Sequence, residues 1–233
     1  MNDPLTAFFF GIYPYIAICV MVVGSILRYD RDPYSWKADS SQLLRRRGLR
    51  WGSNLFHVGV LFILFGHFFG LLTPHALYEH VISAENKQSL AMISGGIAGG
   101  LALIGLLILI WRRLADERIK ATTRFMDMAI LLLLFAQLML GMLTIPQSAR
   151  HPDGATMMTL ALWAQHIVTF RPGAADYLTG VAPVFKAHIV LGLTIFLIFP
   201  FTRLVHMLSV PFKYLLRPGY QVVRRGRRAS PLG

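Results

Sequence analysis

Apolar side chains run almost unbroken through residues 5 to 27, 52 to 73, 89 to 111, 125 to 145 and 184 to 209, and the chain turns polar between these runs. Each run is about the 20 residues that an α-helix needs to cross a hydrocarbon core. In lipid every backbone N–H and C=O must be satisfied within its own segment, so such runs predict helices. The predicted fold is an all-α polytopic membrane protein, with five transmembrane helices in a bundle and a single integral membrane domain over 1–233. The chain is 55% hydrophobic with a mean hydropathy of +0.54, and nothing substantial is left to fold as a soluble domain. The loops are short except 146 to 183, where Pro146, Pro152, Gly154, Pro172, Gly173 and Gly180 punctuate a stretch predicted to hold a surface helix around Met157 to Val168.

Charge then orients the bundle. The net charge of +12 would suggest nucleic acid in a soluble chain, but its placement points elsewhere. Seven Lys/Arg lie in 28 to 51, five in 112 to 124 and six in 210 to 233, and Arg203 closes the last span. Only Lys87, Arg150, Arg171 and Lys186 fall on the other side. The positive-inside rule places the basic loops and the C-terminus in the cytoplasm and the N-terminus outside, which five spans allow. No nucleic-acid partner is expected. The basic segments 28 to 51 and 210 to 233 are expected to meet anionic lipid or a cytoplasmic partner. Asn2-Asp3-Pro4 precedes the first span with no basic residue, so that span is expected to stay in the mature protein. Cys19, the single cysteine, excludes an internal disulfide and an iron–sulfur cluster ligated by this chain alone.

Glycines mark close approach. Gly95, Gly96, Gly99 and Gly100 form two overlapping G-x-x-x-G patterns, and Gly66 and Gly70 form another. Tight helix packing is the ordinary explanation; room for a flat macrocycle is the functional one, and the two are compatible.

Four of the eight histidines, His57, His67, His188 and His206, lie inside apolar spans, where an unpartnered imidazole is expensive. His75, His80, His151 and His166 fall in connecting segments. His188 and His206 are 18 residues apart, five turns and about 27 Å along one face of a straight helix. His57 and His67 are ten residues apart, about 15 Å and about 280° of rotation. Matching depths pairs His57 with His206 near the inner surface and His67 with His188 near the outer one. Two imidazoles on one haem iron make a six-coordinate electron-transfer site with no open position. The unequal spacings must then be absorbed by tilt, by the glycines near His67, or by a kink at Pro200. Arg203 and Lys186 stand close enough to His206 and His188 to meet haem propionates, although snorkelling explains either equally well.

The blocks Asn54-Leu-Phe-His57 through Gly66-His67-Phe-Phe-Gly70-Leu-Leu-Thr-Pro-His75, and Phe185-Lys-Ala-His188 through Phe199-Pro-Phe-Thr-Arg203-Leu-Val-His206, resemble the cytochrome b (gamma) subunit of the respiratory membrane-bound nitrate reductase. So do Ile12-Tyr-Pro-Tyr15, Leu27-Arg-Tyr-Asp30, Ala121-Thr-Thr123 and Leu143-Thr-Ile-Pro146, and the resemblance covers almost all of 5 to 216. It implies a five-helix anchor in the bacterial inner membrane with two b haems, His57 and His206 holding the proximal one and His67 and His188 the distal one. It further implies oxidation of menaquinol or ubiquinol at a site involving Lys87 and Gly66. Electrons would pass to iron–sulfur (beta) and molybdenum (alpha) subunits on the cytoplasmic face, where nitrate is reduced. Two other readings stay open at this point: a haem b anchor of a heterodisulfide- or sulfite-reductase-like complex, and a non-redox transporter or scaffold.

Overall fold

Pro14 sets the shape of the first helix. Having no N–H, it leaves the carbonyl of Phe10, four residues back, without its helical donor. The backbone widens there into a π turn over Phe8–Ile12, and the indole Nε1 of Trp163 donates to the Phe10 carbonyl at 2.9 Å. A carbonyl at membrane depth is thus satisfied by a neighbouring helix rather than left bare.

The computed structural model describes residues 3–37 and 48–209. Five helices are long and apolar enough to span a membrane: α1 (Pro4–Arg31), α2 (Leu49–Leu72), α3 (Ala84–Ala115), α4 (Phe125–Ala149) and a fifth over Pro183–Phe201. Between the fourth and fifth lies α5 (Ala155–Val168), the expected surface helix, and the regular part of the fifth span is α6 (Pro183–Ile198). There is no strand among the described residues. Much of the basic loop and the whole basic tail, proposed from charge as lipid or docking segments, lie outside them.

The α2–α3 crossing is held by backbone contact. A Cβ on Gly59 would stand 2.5 Å from the Ala98 carbonyl oxygen, and one on Gly105 would stand 2.7 Å from the Gly52 carbonyl oxygen and collide with the Phe56 nitrogen. The α2–α3 crossing therefore depends on Gly52, Gly59 and Gly105, facing Ala98 and Ala102, as membrane helices without a hydrophobic drive between them require. The G-x-x-x-G patterns are mostly elsewhere. Of their members only Gly99 is tightly packed, against Met142 of α4; Gly66, Gly70, Gly95 and Gly100 face open space within 4 Å.

Helix α1 runs along the fifth span. Tyr13 Oη lies 2.9 Å from Thr194 Oγ1, and Gly24 admits the ring of Pro200, which would meet an added Cβ at 2.8 Å. At the other end of the bundle α5 caps the layer: Trp163, Ala164 and Ile167 pack with Phe10 and Leu178, and Gln165 donates to the carbonyls of Leu71 and Thr73 at the end of α2. Outward-facing apolar side chains such as Phe65 and Phe69, about three-fifths exposed, are the surface that lipid covers.

One sequence expectation is corrected. The fifth span does not continue as one helix to residue 209. Pro200 interrupts the ladder, a 3₁₀ turn follows over Phe199–Phe201, Thr202 is extended, and a separate 3₁₀ turn runs over Arg203–Leu208. His206 therefore sits on its own turn, and its position is not tied to the register of His188.

Candidate functional site

Three of the four intramembrane imidazoles are oriented by the backbone that carries them. His57 Nδ1 lies 2.7 Å from the Ser53 carbonyl oxygen, with Ser53 Oγ at 3.2 Å. His67 Nδ1 lies 2.8 Å from the Ile63 carbonyl oxygen, and His206 Nδ1 lies 2.5 Å from that of Arg203. A carbonyl can only accept, so each of these nitrogens carries a proton, and in the neutral ring Nε2 keeps its lone pair. That is the tautomer a metal-ligating histidine needs, fixed by a partner behind the ring.

The rings meet in two pairs, as matched depths suggest. The centroids of His57 and His206 are 6.2 Å apart, and those of His67 and His188 are 6.0 Å apart. A direct N–H···N bond of about 2.9 Å would bring centroids to about 5.2 Å. Two imidazoles on opposite sides of one metal, with metal–nitrogen distances of about 2.0 Å, stand about 6.4 Å apart. The observed spacings fall near the second arrangement. Among the described residues no group of three or more His, Cys, Asp or Glu could hold a metal ion; each histidine pair offers two imidazoles, fewer than the four donors of a structural zinc and the number a bis-histidine haem iron would take. The space also fits: Gly66 and Gly70 present no side chain beside His67, and nothing lies within 4 Å of where their Cβ atoms would be.

His188 is held differently. Gln137 of α4 donates through Nε2 to the His188 carbonyl oxygen at 3.1 Å, and the same Nε2 is 3.5 Å from His188 Nε2. Gly141 and Gly192 make the room: a Cβ on Gly141 would stand 3.1 Å from the His188 ring, and one on Gly192 would stand 3.0 Å from Gln137 Nε2. His188 Nδ1 and Gln137 Oε1 are buried with no hydrogen-bond partner.

The two cations expected at propionates have protein partners. Arg203 donates to Asp127 Oδ1 through Nε at 2.9 Å and pairs through Nη2 at 2.8 Å, while Arg113 stands 4.0 Å from Asp127 Oδ2. Lys186 Nζ donates to the Thr179 carbonyl oxygen at 3.2 Å. Lys87 is the more unusual group. Its Nζ lies 3.5 Å from the centroid of the Tyr78 ring and is buried with no hydrogen-bond partner. Tyr78 in turn donates to Met158 Sδ at 2.9 Å; burial, and then the Glu79 carboxylate, push its hydroxyl pKa above the usual value. Three of the connecting-segment histidines have local partners, His75 and, more distantly, His80 with Glu79 and His166 with Tyr177 and the Pro172 carbonyl.

Sequence reasoning missed Gln137, Gly141, Gly192 and Ser53 as supports of His188 and His57. Ser53, four residues before His57, was within reach of helical spacing. The α4 and α6 residues meet only through the tertiary fold.

The nitrate reductase gamma subunit family model matches residues 6–226. The chain is 54% identical over 227 residues to the respiratory nitrate reductase 2 gamma chain of Escherichia coli, covering 97% of this chain and all of that one. It is 55% identical to the respiratory nitrate reductase 1 gamma chain of the same organism, covering 94% and 97%. The nitrate reductase gamma chain of Bacillus subtilis is 39% identical, covering 92% and 96%. These similarities decide among the three readings. With two facing histidine pairs inside a five-helix membrane bundle, this chain belongs to the nitrate reductase gamma subunit family of membrane-anchor cytochromes b.

Proposed function

We propose that this chain oxidises quinol and hands the electrons inward, through two b haems, to the nitrate-reducing subunits of its complex. The observation that carries the reading is the pair of His–His spacings, 6.2 and 6.0 Å, on one bundle. Haem b, when bound, supplies one-electron transfer at an iron with no open coordination position. His57 and His206 would hold the proximal haem and His67 and His188 the distal one; Nδ1–H bonds to backbone fix the rings of His57, His67 and His206 and leave Nε2 free to bind iron.

The quinol site is proposed beside the distal pair, with Lys87 and Gly66. A buried ammonium without an acceptor is costly, and an oxygen of the quinol supplies one; the Tyr78 ring under Nζ holds the side chain in place. Gly66 leaves open space beside His67 for the ring. Oxidation of quinol yields two electrons and two protons. By the positive-inside rule the basic end of the bundle is cytoplasmic, so the protons leave at the periplasmic side and the electrons cross the inner membrane. On the same reading the iron–sulfur and molybdenum subunits dock on the cytoplasmic face, and Arg203 and Lys186 would reach the propionates only by sharing donors now given to Asp127 and to the Thr179 carbonyl.

The test is quinol-driven haem reduction in membranes carrying Lys87→Ala, with dithionite as the control. The reading expects dithionite-reducible haem at wild-type level and quinol-driven reduction at least tenfold slower. Unchanged quinol-driven reduction would remove Lys87 from the site.

A further inference from the structure

The turn that carries His206 is fastened from outside by the first helix. Beyond Pro200 the helical ladder lapses: the Leu204 N–H, which a continuing helix would aim at the Pro200 carbonyl, donates instead to Thr202 Oγ1 at 3.2 Å. The carbonyls of Pro200 and Thr202 are taken by one guanidinium. Arg28 of α1 donates through Nη1 to Pro200 O at 2.6 Å and to Thr202 O at 2.8 Å. Its other nitrogens are anchored on the turn that follows α1, Nη2 to the Ser35 carbonyl at 2.7 Å and Nε to Ser35 Oγ at 3.0 Å. On either side, Gly24 seats the Pro200 ring and Trp36 Nε1 donates to Ser209 Oγ at 2.5 Å. His206 lies between these fastenings, four residues after Thr202.

We propose that Arg28 is the positioning residue for His206, and through it sets the geometry and potential of the proximal haem alone; this rests on the dihaem reading above. A planar guanidinium with donors on several edges reaches two carbonyls and a third anchor at once, whereas an ammonium is a point donor with no fixed fork. The hydrogen bonds of Arg28 to the described residues end on Ser35, Pro200 and Thr202, twelve residues or more from His188 along the chain and on a different helix from His67, so the effect falls on the proximal haem.

The experiment uses Arg28→Gln and Arg28→Lys in the full-length chain expressed with its partner subunits. Redox titration and low-spin EPR resolve the two haems, which are assigned by the signals missing in His206→Ala and His67→Ala. Amide hydrogen exchange over 199–209 gives a second reading independent of haem. The expected result for Arg28→Gln is faster exchange in that segment and a shifted or lost proximal signal, with the distal signal unchanged; Arg28→Lys shows a smaller shift. Unaltered potentials and exchange in Arg28→Gln, or equal disturbance of both haems, would overturn the proposal. Should Arg28→Gln not accumulate, Arg28→Lys decides, and wild-type potentials and exchange there would also overturn it. Absence of haem from wild type would instead fail the dihaem reading, while the exchange measurement still reports on the clamp.

Discussion

Asp127 on α4 and Arg203 beyond the break in the fifth span are joined by two short contacts to one carboxylate oxygen, at 2.9 and 2.8 Å, with both side chains largely buried. Arg113 of α3 stands on the other oxygen. One carboxylate thus ties three spans together and offsets two guanidinium charges. Removing one partner of such a group leaves uncompensated charge behind. Asp127→Asn is expected to destabilise the folded chain by on the order of 2 kcal/mol, seen as a lower midpoint of thermal unfolding in detergent. A midpoint within 1 °C of wild type would show that the cluster is solvated enough to lose its anion.

The two kinds of glycine in α2 separate in a substitution experiment. Gly59→Ala places a methyl 2.5 Å from the Ala98 carbonyl oxygen, so the α2–α3 crossing must open and yield of folded chain should fall severalfold. Gly66→Ala meets nothing and should not lower thermal stability, while slowing quinol-driven reduction if the adjoining space is the quinol site. Size-exclusion profiles and reduction kinetics of the two variants check this directly.

Trp163→Phe keeps the aromatic bulk against Phe10 but removes the donor to the Phe10 carbonyl. A buried acceptor left unmade costs about 1–3 kcal/mol, so this variant should unfold at lower temperature than wild type. Restoring the backbone donor by Pro14→Ala should close the π turn and recover part of the loss, a coupling readable in a double-mutant cycle.

Alkaline pH should weaken the end of the bundle around the α2–α3 connection through Tyr78. Its pKa is raised in the fold, so the unfolded chain ionises first as pH climbs past about 10, the ordinary tyrosine range. The contribution is fully present below that pH and is lost as pH rises through the higher folded value. Tyr78→Phe should flatten this alkaline limb in a stability-against-pH profile while leaving the neutral region parallel to wild type.

How much of this was legible in the sequence follows from the range of the forces involved. Hydropathy located the five spans, apart from the break after Ile198 in the fifth, because the lipid requirement acts on each segment independently. The histidine pairs were legible from depth alone. The glycine patterns misdirected: spacing finds small residues on one face but not which face meets a helix, and Gly59 and Gly105, outside any G-x-x-x-G motif, carry the crossing. Pro200 signalled a kink. It did not signal that Thr202 would become extended or that Arg28, 172 residues from Pro200 in sequence, would take the freed carbonyls. Gln137 behind His188 was equally hidden, since both belong to helices whose rotation only packing determines.

The central claim is that four histidines hold two haems in separate pairs. The most direct measurement is haem quantitation with a reduced-minus-oxidised visible spectrum of the purified chain, repeated on His67→Ala and His206→Ala. The account predicts two b haems in wild type and one in each variant, with a different spectral component missing from each. A folded wild-type chain without haem, or variants that both retain two haems, would contradict it.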